Sequence, residues 1–112
     1  MKDILDLEDE RLEWSLKTFK NATPISSLYK LRSEINEVIE LLEAKERGEP
    51  VKTTDLIMEY ADCQMCLNDS IGRAGIKLQR VHEAFEVKLT INKARDWQMN
   101  PDKSYSHVKK PS

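Results

Sequence analysis

The clearest pattern of apolar and polar positions in this chain lies between residues 28 and 42. Apolar side chains recur there at helical spacings, at Leu28, Leu31, Ile35, Val38, Ile39 and Leu42. This spacing places them along one face of an α-helix, because a helix turns once in about 3.6 residues. Thr23 and Pro24 indicate where that helix begins, since threonine caps helices and proline is accepted at the first helical position. Gly48 and Pro50 end it, so the pattern predicts one long amphipathic helix.

Three further helices are predicted around this one. The first runs from about Leu5 to Phe19, and Thr53 or Thr54 is expected to cap the third. The third helix has an apolar row at Leu56, Tyr60, Cys63, Leu67 and Ile71. The fourth runs from about Lys77 to Trp97, and its expected buried residues are Leu78, Val81, Ala84, Phe85, Leu89 and Ile91. The chain therefore reads as a mostly helical protein.

Residues 98–112 carry two prolines and several lysines but no apolar period. They are predicted to form a tail or a lid and not part of the core. A chain of 112 residues supplies one hydrophobic core and is too short for two ordinary domains. We therefore expect a single domain over residues 1–112.

Composition and charge narrow the possible partners. Hydrophobic residues make up 39% of the chain and charged residues 34%, and the net charge of −2 balances 18 basic against 20 acidic residues. This balance favours neither nucleic acid nor an anionic membrane as a partner. No apolar run is long enough to span a bilayer and the first residues are too acidic for a signal peptide, so a cytoplasmic protein is expected. Cys63 and Cys66 lack the further ligands of a zinc site and are expected to be buried thiols on a helix.

Two acidic pairs stand out for their position. Glu34 and Glu37 form the first pair, in the sequence EINE, and Glu59 and Asp62 form the second, in EYAD, with 21 residues between the pairs. The chain has ten acid-x-x-acid spacings, so the spacing alone is weak evidence. On a helical wheel, however, both pairs border apolar positions. The two residues of each pair are three positions apart in the sequence, which separates their Cβ atoms by roughly 5 to 6 Å on a helix. Converging carboxylates suit Mg²⁺ or Mn²⁺, although solvated acids explain the pairs equally well at this point.

A row of basic and amide side chains follows on the predicted fourth helix. Lys88, Asn92 and Arg95 are spaced so that they share one helical face. Such a row suits phosphate oxygens, because arginine, lysine and asparagine all donate hydrogen bonds to them. The alternative is a row of surface salt bridges. Acids for a metal, together with a cationic row for phosphate, are what metal-assisted phosphoanhydride hydrolysis requires.

These residues resemble a known family. The ordered set of EINE, EYAD and K-x-x-x-N-x-x-R is similar to the motifs of the MazG-like all-α nucleoside triphosphate pyrophosphohydrolases. The segments EYADCQMCLNDSIGRAGI and KLTINKARDW further resemble the small, single-domain branch described as dATP/dGTP diphosphohydrolases, often encoded by phages. The resemblance runs from about Trp14 to the C terminus.

The resemblance implies a fold, a reaction and an assembly. The fold would be an antiparallel four-helix bundle-like core. Both residues of each acidic pair would hold Mg²⁺ or Mn²⁺, namely Glu34, Glu37, Glu59 and Asp62. The reaction would convert a (deoxy)nucleoside triphosphate, with purine dNTPs favoured, to a monophosphate and pyrophosphate. A carboxylate of the first pair, Glu34 or Glu37, would act as the catalytic base, and Lys88, Asn92 and Arg95 would contact the phosphates. The assembly would be a homodimer or homotetramer.

Several positions stay open. Many relatives have a further glutamate where this chain has Ser33, which leaves the number of metal ions undecided. Asp69 is either an extra metal-binding carboxylate or, as expected, a solvated residue near the helix end. Trp14 either stacks on the nucleotide base or only packs in the core.

The C-terminal tail and the overall function also have alternatives. Tyr105, His107, Lys109 and Lys110 either close over the phosphates or belong to a frayed terminus. The alternative to an enzyme is a non-catalytic helical interaction module with salt-bridged faces.

Overall fold

The computed structural model describes residues 1–109, and over this range it contains four helices and one small hairpin. The helices are α1 (Ile4–Thr18), α2 (Pro24–Glu46), α3 (Thr53–Arg73) and α4 (Leu78–Lys93), and the strands are β1 (Trp97–Met99) and β2 (Tyr105–His107). The chain divides into two compact units, the first Met1–Leu78 and the second beginning at Gln79. The predicted all-α class is confirmed. The helices of residues 1–109 are too short or too polar to cross a bilayer.

The start of α2 is fixed by a reciprocal pair of hydrogen bonds. The Ser26 backbone N–H donates to Thr23 Oγ1 at 3.0 Å, and the Thr23 N–H donates to Ser26 Oγ at 2.8 Å. Pro24 occupies the first helical position, so this predicted start is confirmed. The predicted cap of α3 is wrong. Thr53 is already helical, and Lys52 precedes it without a side-chain hydrogen bond to the helix.

Helices α2 and α3 form an antiparallel pair. Ser27, near the start of α2, contacts Asp69 near the end of α3, whereas Glu34 lies opposite the earlier residue Glu59. Gly48 allows the short connection between the helices, because its φ of 83° lies in the left-handed region that glycine enters freely. Helix α1 packs against the end of α3, where a Cβ at Gly72 would lie only 2.7 Å from the Leu12 methyl groups.

The buried apolar core is small. Among the described residues only Val38 and Leu78 are buried hydrophobic side chains. The α2 row is therefore only partly covered, with Ile35 42% exposed. The predicted buried set of α4 is wrong apart from Leu78, because Val81, Ala84, Phe85, Leu89 and Ile91 are all exposed. An apolar helical face is expected to pack against another apolar surface, but a helical wheel does not show whether that surface belongs to the same chain or to a second one.

The second unit contains a hairpin that the sequence pattern did not predict. It spans residues 97–107, with Met99 paired to Tyr105 and Trp97 to His107. Its turn is closed by the Asn100 N–H, which donates to the Ser104 carbonyl oxygen at 2.6 Å. Helix α4 also ends at Lys93, earlier than predicted. Lys110 lies outside the described residues.

Candidate active site

Three acidic side chains converge where α2 and α3 face each other. Glu34 comes from α2, and Glu59 and Asp62 come from neighbouring turns of α3. One carboxylate oxygen from each lies within 4.8 Å of the others. The antiparallel pairing brings the two helices to this point, and the spacing of three residues keeps Glu59 and Asp62 on one face. We call these three residues the acid cluster.

The acid cluster has the properties of a cation site. Glu34 is only 7% exposed, and Glu59 Oε2 is buried without a hydrogen-bond partner among the described residues. A buried carboxylate oxygen left without a partner is costly, and a divalent cation would satisfy it. Hard oxygen donors of this kind suit Mg²⁺ and Mn²⁺. The residues present therefore fit such an ion.

Lys30 supplies the one cation that the structure places against the acid cluster among residues 1–109. Its Nζ lies 3.1 Å from Glu34 Oε1, one helical turn away on α2. Hydrogen bonding to Glu34, reinforced by the glutamate charge, raises the pKa of Lys30. Because the lysine side chain is 65% exposed, this ion pair is weak and leaves Glu34 accessible to a metal.

Glu37 lies beside the acid cluster and is exposed. A hydrogen bond with Glu59, followed by the charge of Glu34, raises the pKa of Glu37 to about 6. Carboxylates this close cannot all ionise easily, so they share a proton when no cation neutralises them. The raised proton affinity of Glu37 thus reports the crowding of negative charge at this point.

Cys63 and Cys66 are half-buried free thiols on the same side of α3. They are less buried than predicted. Burial, followed by the charge of Glu34, raises the pKa of both thiols. They are therefore neutral near pH 7 and act as apolar packing beside the acids.

A cavity of about 500 Å³ opens next to the acid cluster. Glu34 and Asp62 line it, together with an apolar wall formed by Trp14, Phe19 and Met65. The Trp14 and Phe19 rings meet edge to face, with their centroids 5.3 Å apart. The volume and the apolar wall are those of a small-molecule site.

Polar residues also line the cavity, and Asp69 is at the centre of their hydrogen bonds. Asp69 Oδ1 accepts hydrogen bonds from Arg11 Nη1 at 3.0 Å and Ser15 Oγ at 2.7 Å. Asp69 Oδ2 accepts from Ser27 Oγ at 2.6 Å and Arg73 Nε at 2.7 Å. We call Arg11, Ser15, Ser27 and Asp69 the polar floor of the cavity. It joins α1, α2 and α3.

This arrangement overturns both sequence-based interpretations of Asp69. The residue is 9% exposed, so it is not solvated, and four protein donors occupy its oxygens, so it is not a spare metal ligand. Burial alone would raise the pKa of Asp69, but hydrogen bonds from Ser27, Ser15, Arg73 and Arg11 hold it well below its usual range. Asp69 is therefore a charged structural residue.

Lys88, Asn92 and Arg95 lie in the second unit. Lys88 and Asn92 are one turn apart on α4, as predicted, with Lys88 exposed and Asn92 half-buried. Arg95 lies beyond the end of α4, so the prediction that all three share one helical face is wrong for this residue. Their contact with phosphates stays a prediction.

The structure adds residues that the sequence pattern did not single out. Lys30 was detectable, because it stands four residues before Glu34 and such pairs meet on a helix. Arg11, Ser15 and Ser27 carried no comparable signal. Serines and an arginine on three different helices become a site only when the helices pack.

Two comparisons with known proteins relate this geometry to a family. The family profile of the dATP/dGTP pyrophosphohydrolases matches residues 7–112. The chain belongs to the dATP/dGTP pyrophosphohydrolase family. Membership identifies it as a pyrophosphohydrolase and confirms the resemblance seen in EINE and EYAD. It also decides against the non-catalytic interaction module.

A solved structure agrees with this dATP/dGTP pyrophosphohydrolase assignment. It is a cyanophage S-2L MazG-like pyrophosphohydrolase bound to dGDP and three catalytic Mn²⁺ ions per active site. It is similar to this chain with 25% sequence identity and a TM-score of 0.71, over 97% of this chain and 100% of the other. No curated protein sequence matches this pyrophosphohydrolase.

Proposed function

We propose that this enzyme hydrolyses purine deoxynucleoside triphosphates, dATP or dGTP, between the α and β phosphates, with Mg²⁺ or Mn²⁺ held by Glu34, Glu37, Glu59 and Asp62. The observation that carries the proposal is the acid cluster at the edge of a cavity of about 500 Å³, with a buried Glu59 oxygen that has no hydrogen-bond partner among residues 1–109. The cyanophage relative supports it, since that protein binds a deoxyguanosine nucleotide and Mn²⁺. We also propose that the enzyme acts in the cytoplasm, where its nucleotide substrates would be available.

The bound ions would neutralise phosphate charge and lower the pKa of an attacking water. The protein side chains divide the remaining work. Glu34, Glu59 and Asp62 are close enough to share ions. Glu37 is exposed at the edge of this group, where it is better placed than the buried Glu34 to orient the water and accept its proton. We therefore assign the general base to Glu37.

The cavity would hold the nucleoside. Its volume of about 500 Å³ falls within the range of small-ligand sites, and its apolar wall suits a purine ring. Trp14 is 57% exposed and lines the cavity, so its indole face is available for stacking on the base. The acid cluster at the edge of the cavity would then receive the triphosphate.

We also propose that Lys88, Asn92 and Arg95 contact the phosphates. Lys88, Asn92 and Arg95 offer a point charge, a neutral donor and a bidentate donor, which together suit phosphate oxygens. Of the two roles that the sequence left open for this segment, a tail or a lid, we propose the lid for the hairpin of residues 97–107. Lys109, just beyond it, is exposed and free of any ion pair among residues 1–109.

We also propose that the enzyme is a homodimer or homotetramer. Only two apolar side chains are buried among the described residues, while Phe85 is 70% exposed, Met58 66% and Val87 60%. Exposed apolar faces on this scale indicate a protein interface, and a second copy of the chain is the partner most often found.

Product analysis tests the reaction. All dNTPs and NTPs would be incubated with Mg²⁺ or Mn²⁺, and the products scored as monophosphate with pyrophosphate or as diphosphate with orthophosphate. We expect pyrophosphate, with purine deoxynucleotides as the best substrates. Orthophosphate as the primary product would refute cleavage between the α and β phosphates.

Asp62→Asn tests the site, because it removes one charge from the acid cluster with little change in shape. We expect it to lower kcat/KM for pyrophosphate release by at least about a hundredfold. Asp55→Asn is the matched control, since Asp55 is exposed on the same helix and outside the acid cluster. Equal activity of the two variants would rule out this site.

A further inference from the structure

Arg11 lines the cavity and has hydrogen-bond donors that no group among residues 1–109 accepts. Its Nε and Nη2 donate to the two oxygens of Glu8, and its Nη1 donates to Asp69 at 3.0 Å. A guanidinium group has five N–H donors, so two remain without an acceptor among residues 1–109. The side chain is 11% exposed and lines the cavity. These donors can be satisfied inside the cavity by a ligand with acceptor atoms.

The other hydrogen-bond donors of the polar floor are already used. Each oxygen of Asp69 accepts two hydrogen bonds, and Ser15 Oγ both donates to Asp69 and accepts from Arg73 Nη2 at 3.0 Å. Ser27 Oγ uses its hydrogen on Asp69. Among residues 1–109, the free donors of the floor are therefore those of Arg11.

The free donors of Arg11 distinguish guanine from adenine. One edge of guanine offers two adjacent acceptors, N7 and O6, which a guanidinium group binds together. Adenine replaces the O6 acceptor with an amino group, so it would set a donor against the donors of Arg11. A guanine base therefore satisfies this part of the cavity, and an adenine base leaves donors unpaired.

We infer that Arg11 is a specificity-determining residue that binds the N7 and O6 edge of the base and makes dGTP the preferred substrate. This inference rests on the proposed function, because it requires the base to enter the cavity. The positive charge of Arg11 is balanced by Glu8 and Asp69, which also hold the guanidinium group in place. The donors are thus oriented before the base binds.

Substrate analogues test the inference on the unaltered enzyme. We would compare kcat/KM for dGTP, for dITP, which lacks only the 2-amino group, for 7-deaza-dGTP, which lacks N7, and for dATP. We expect dITP to remain close to dGTP, dATP to fall by roughly ten- to a hundredfold, and 7-deaza-dGTP to lie between them. A 7-deaza-dGTP value equal to that of dGTP, or a dITP value as low as that of dATP, would overturn the inference.

A variant provides a second test. Arg11→Lys keeps the positive charge near Glu8 and Asp69 but cannot bind two acceptors in a fixed geometry. We expect the ratio of dGTP to dATP activity to fall by roughly tenfold or more, mainly through dGTP. Arg80→Lys is the matched control, since Arg80 is exposed in the second unit. An equal loss for both nucleotides would show that Arg11 is only structural.

The outcomes separate the inference from the proposed function. Pyrophosphate release without discrimination at N7 and O6 would refute the role of Arg11 and leave the enzyme activity standing. No pyrophosphate release from any nucleotide would refute the proposed function, and the inference with it. A variant that fails to fold, seen by thermal denaturation, would leave the analogue comparison to decide.

Discussion

Replacing Asp69 with asparagine tests whether the polar floor holds the first three helices together. Asp69 receives four hydrogen bonds, two of them from arginine side chains that are themselves largely buried. Asparagine keeps one acceptor oxygen, but its amide group would face donors, and Arg11 and Arg73 would lose a counter-charge. The substitution therefore disrupts several contacts at once.

The expected loss can be worked from these contacts. Breaking a buried ion pair by removing one partner costs about 3 to 5 kcal/mol, and hydrogen bonds to charged groups contribute about 1.5 to 3 kcal/mol each. We therefore expect Asp69→Asn to lower the free energy of unfolding by about 3 to 5 kcal/mol. Domains of this kind are stable by about 5 to 15 kcal/mol, so the loss would be a large fraction of the total.

Urea unfolding followed by far-UV circular dichroism, at one fixed protein concentration, measures this loss. Ser27→Ala removes a single hydrogen bond to the same carboxylate and should cost about 1 to 2 kcal/mol. Asp55→Asn, at an exposed position in the first turn of α3, should cost less than about 1 kcal/mol, because it removes only a favourable charge near the helix N-terminus. A loss below about 1 kcal/mol for Asp69→Asn would refute the structural role.

The pH dependence of the Asp69 contribution has a definite sign. The pKa of Asp69 is held below its ordinary value in the folded protein. Its contribution is therefore complete above the pKa of the unfolded chain and is lost as the pH falls towards the lower, folded pKa. Asp69→Asn should accordingly differ from the unaltered protein at neutral pH and approach it in strong acid.

Three further outcomes are expected. Glu59→Gln should raise the thermal stability of the metal-free protein, because it removes negative charge from the acid cluster. The same substitution should abolish the stabilisation by Mn²⁺, and an unchanged Mn²⁺ effect would count against the site. Protonation of Glu37, whose folded pKa of about 6 exceeds its ordinary 4.5, should add stability to the metal-free protein as the pH falls through this window. Mn²⁺ affinity, measured by calorimetric titration at about pH 5 and about pH 8, should accordingly be weaker at the lower pH. Phe85→Asp should dissociate the oligomer in sedimentation experiments, whereas His82→Asp, also exposed on α4, should do so less; a single chain in the unaltered protein would contradict the assembly.

Local patterns accounted for most of the helices. The Thr23 and Pro24 start of α2 followed from capping chemistry, because the atoms involved are neighbours in the sequence. The hairpin at 97–107 was missed because each strand has only three residues, too few to show alternation. The Asn100-Pro101-Asp102 sequence at its turn was the available signal.

The site was only partly readable from the sequence. Glu34, Glu59 and Asp62 were recognised because their helical positions border apolar rows and because their motifs resemble a family. Asp69 was misjudged, since its four partners come from all three packed helices, at sequence distances of up to 58 residues. A helical wheel describes the face of one helix and contains no information about what the facing helices carry. The exposed face of α4 was misjudged for the same reason.

The polar floor also has a consequence for how this enzyme can be altered. Arg11, Ser15, Ser27 and Asp69 line the cavity and, through the same hydrogen bonds, connect α1, α2 and α3. A substitution that reshapes this side of the cavity therefore also removes a link between helices. New substrate preferences would have to arise through coordinated replacement of charge partners, or from the apolar wall at Trp14 and Phe19, where no such link exists among the described residues. Directed evolution should find its first tolerated changes on that wall.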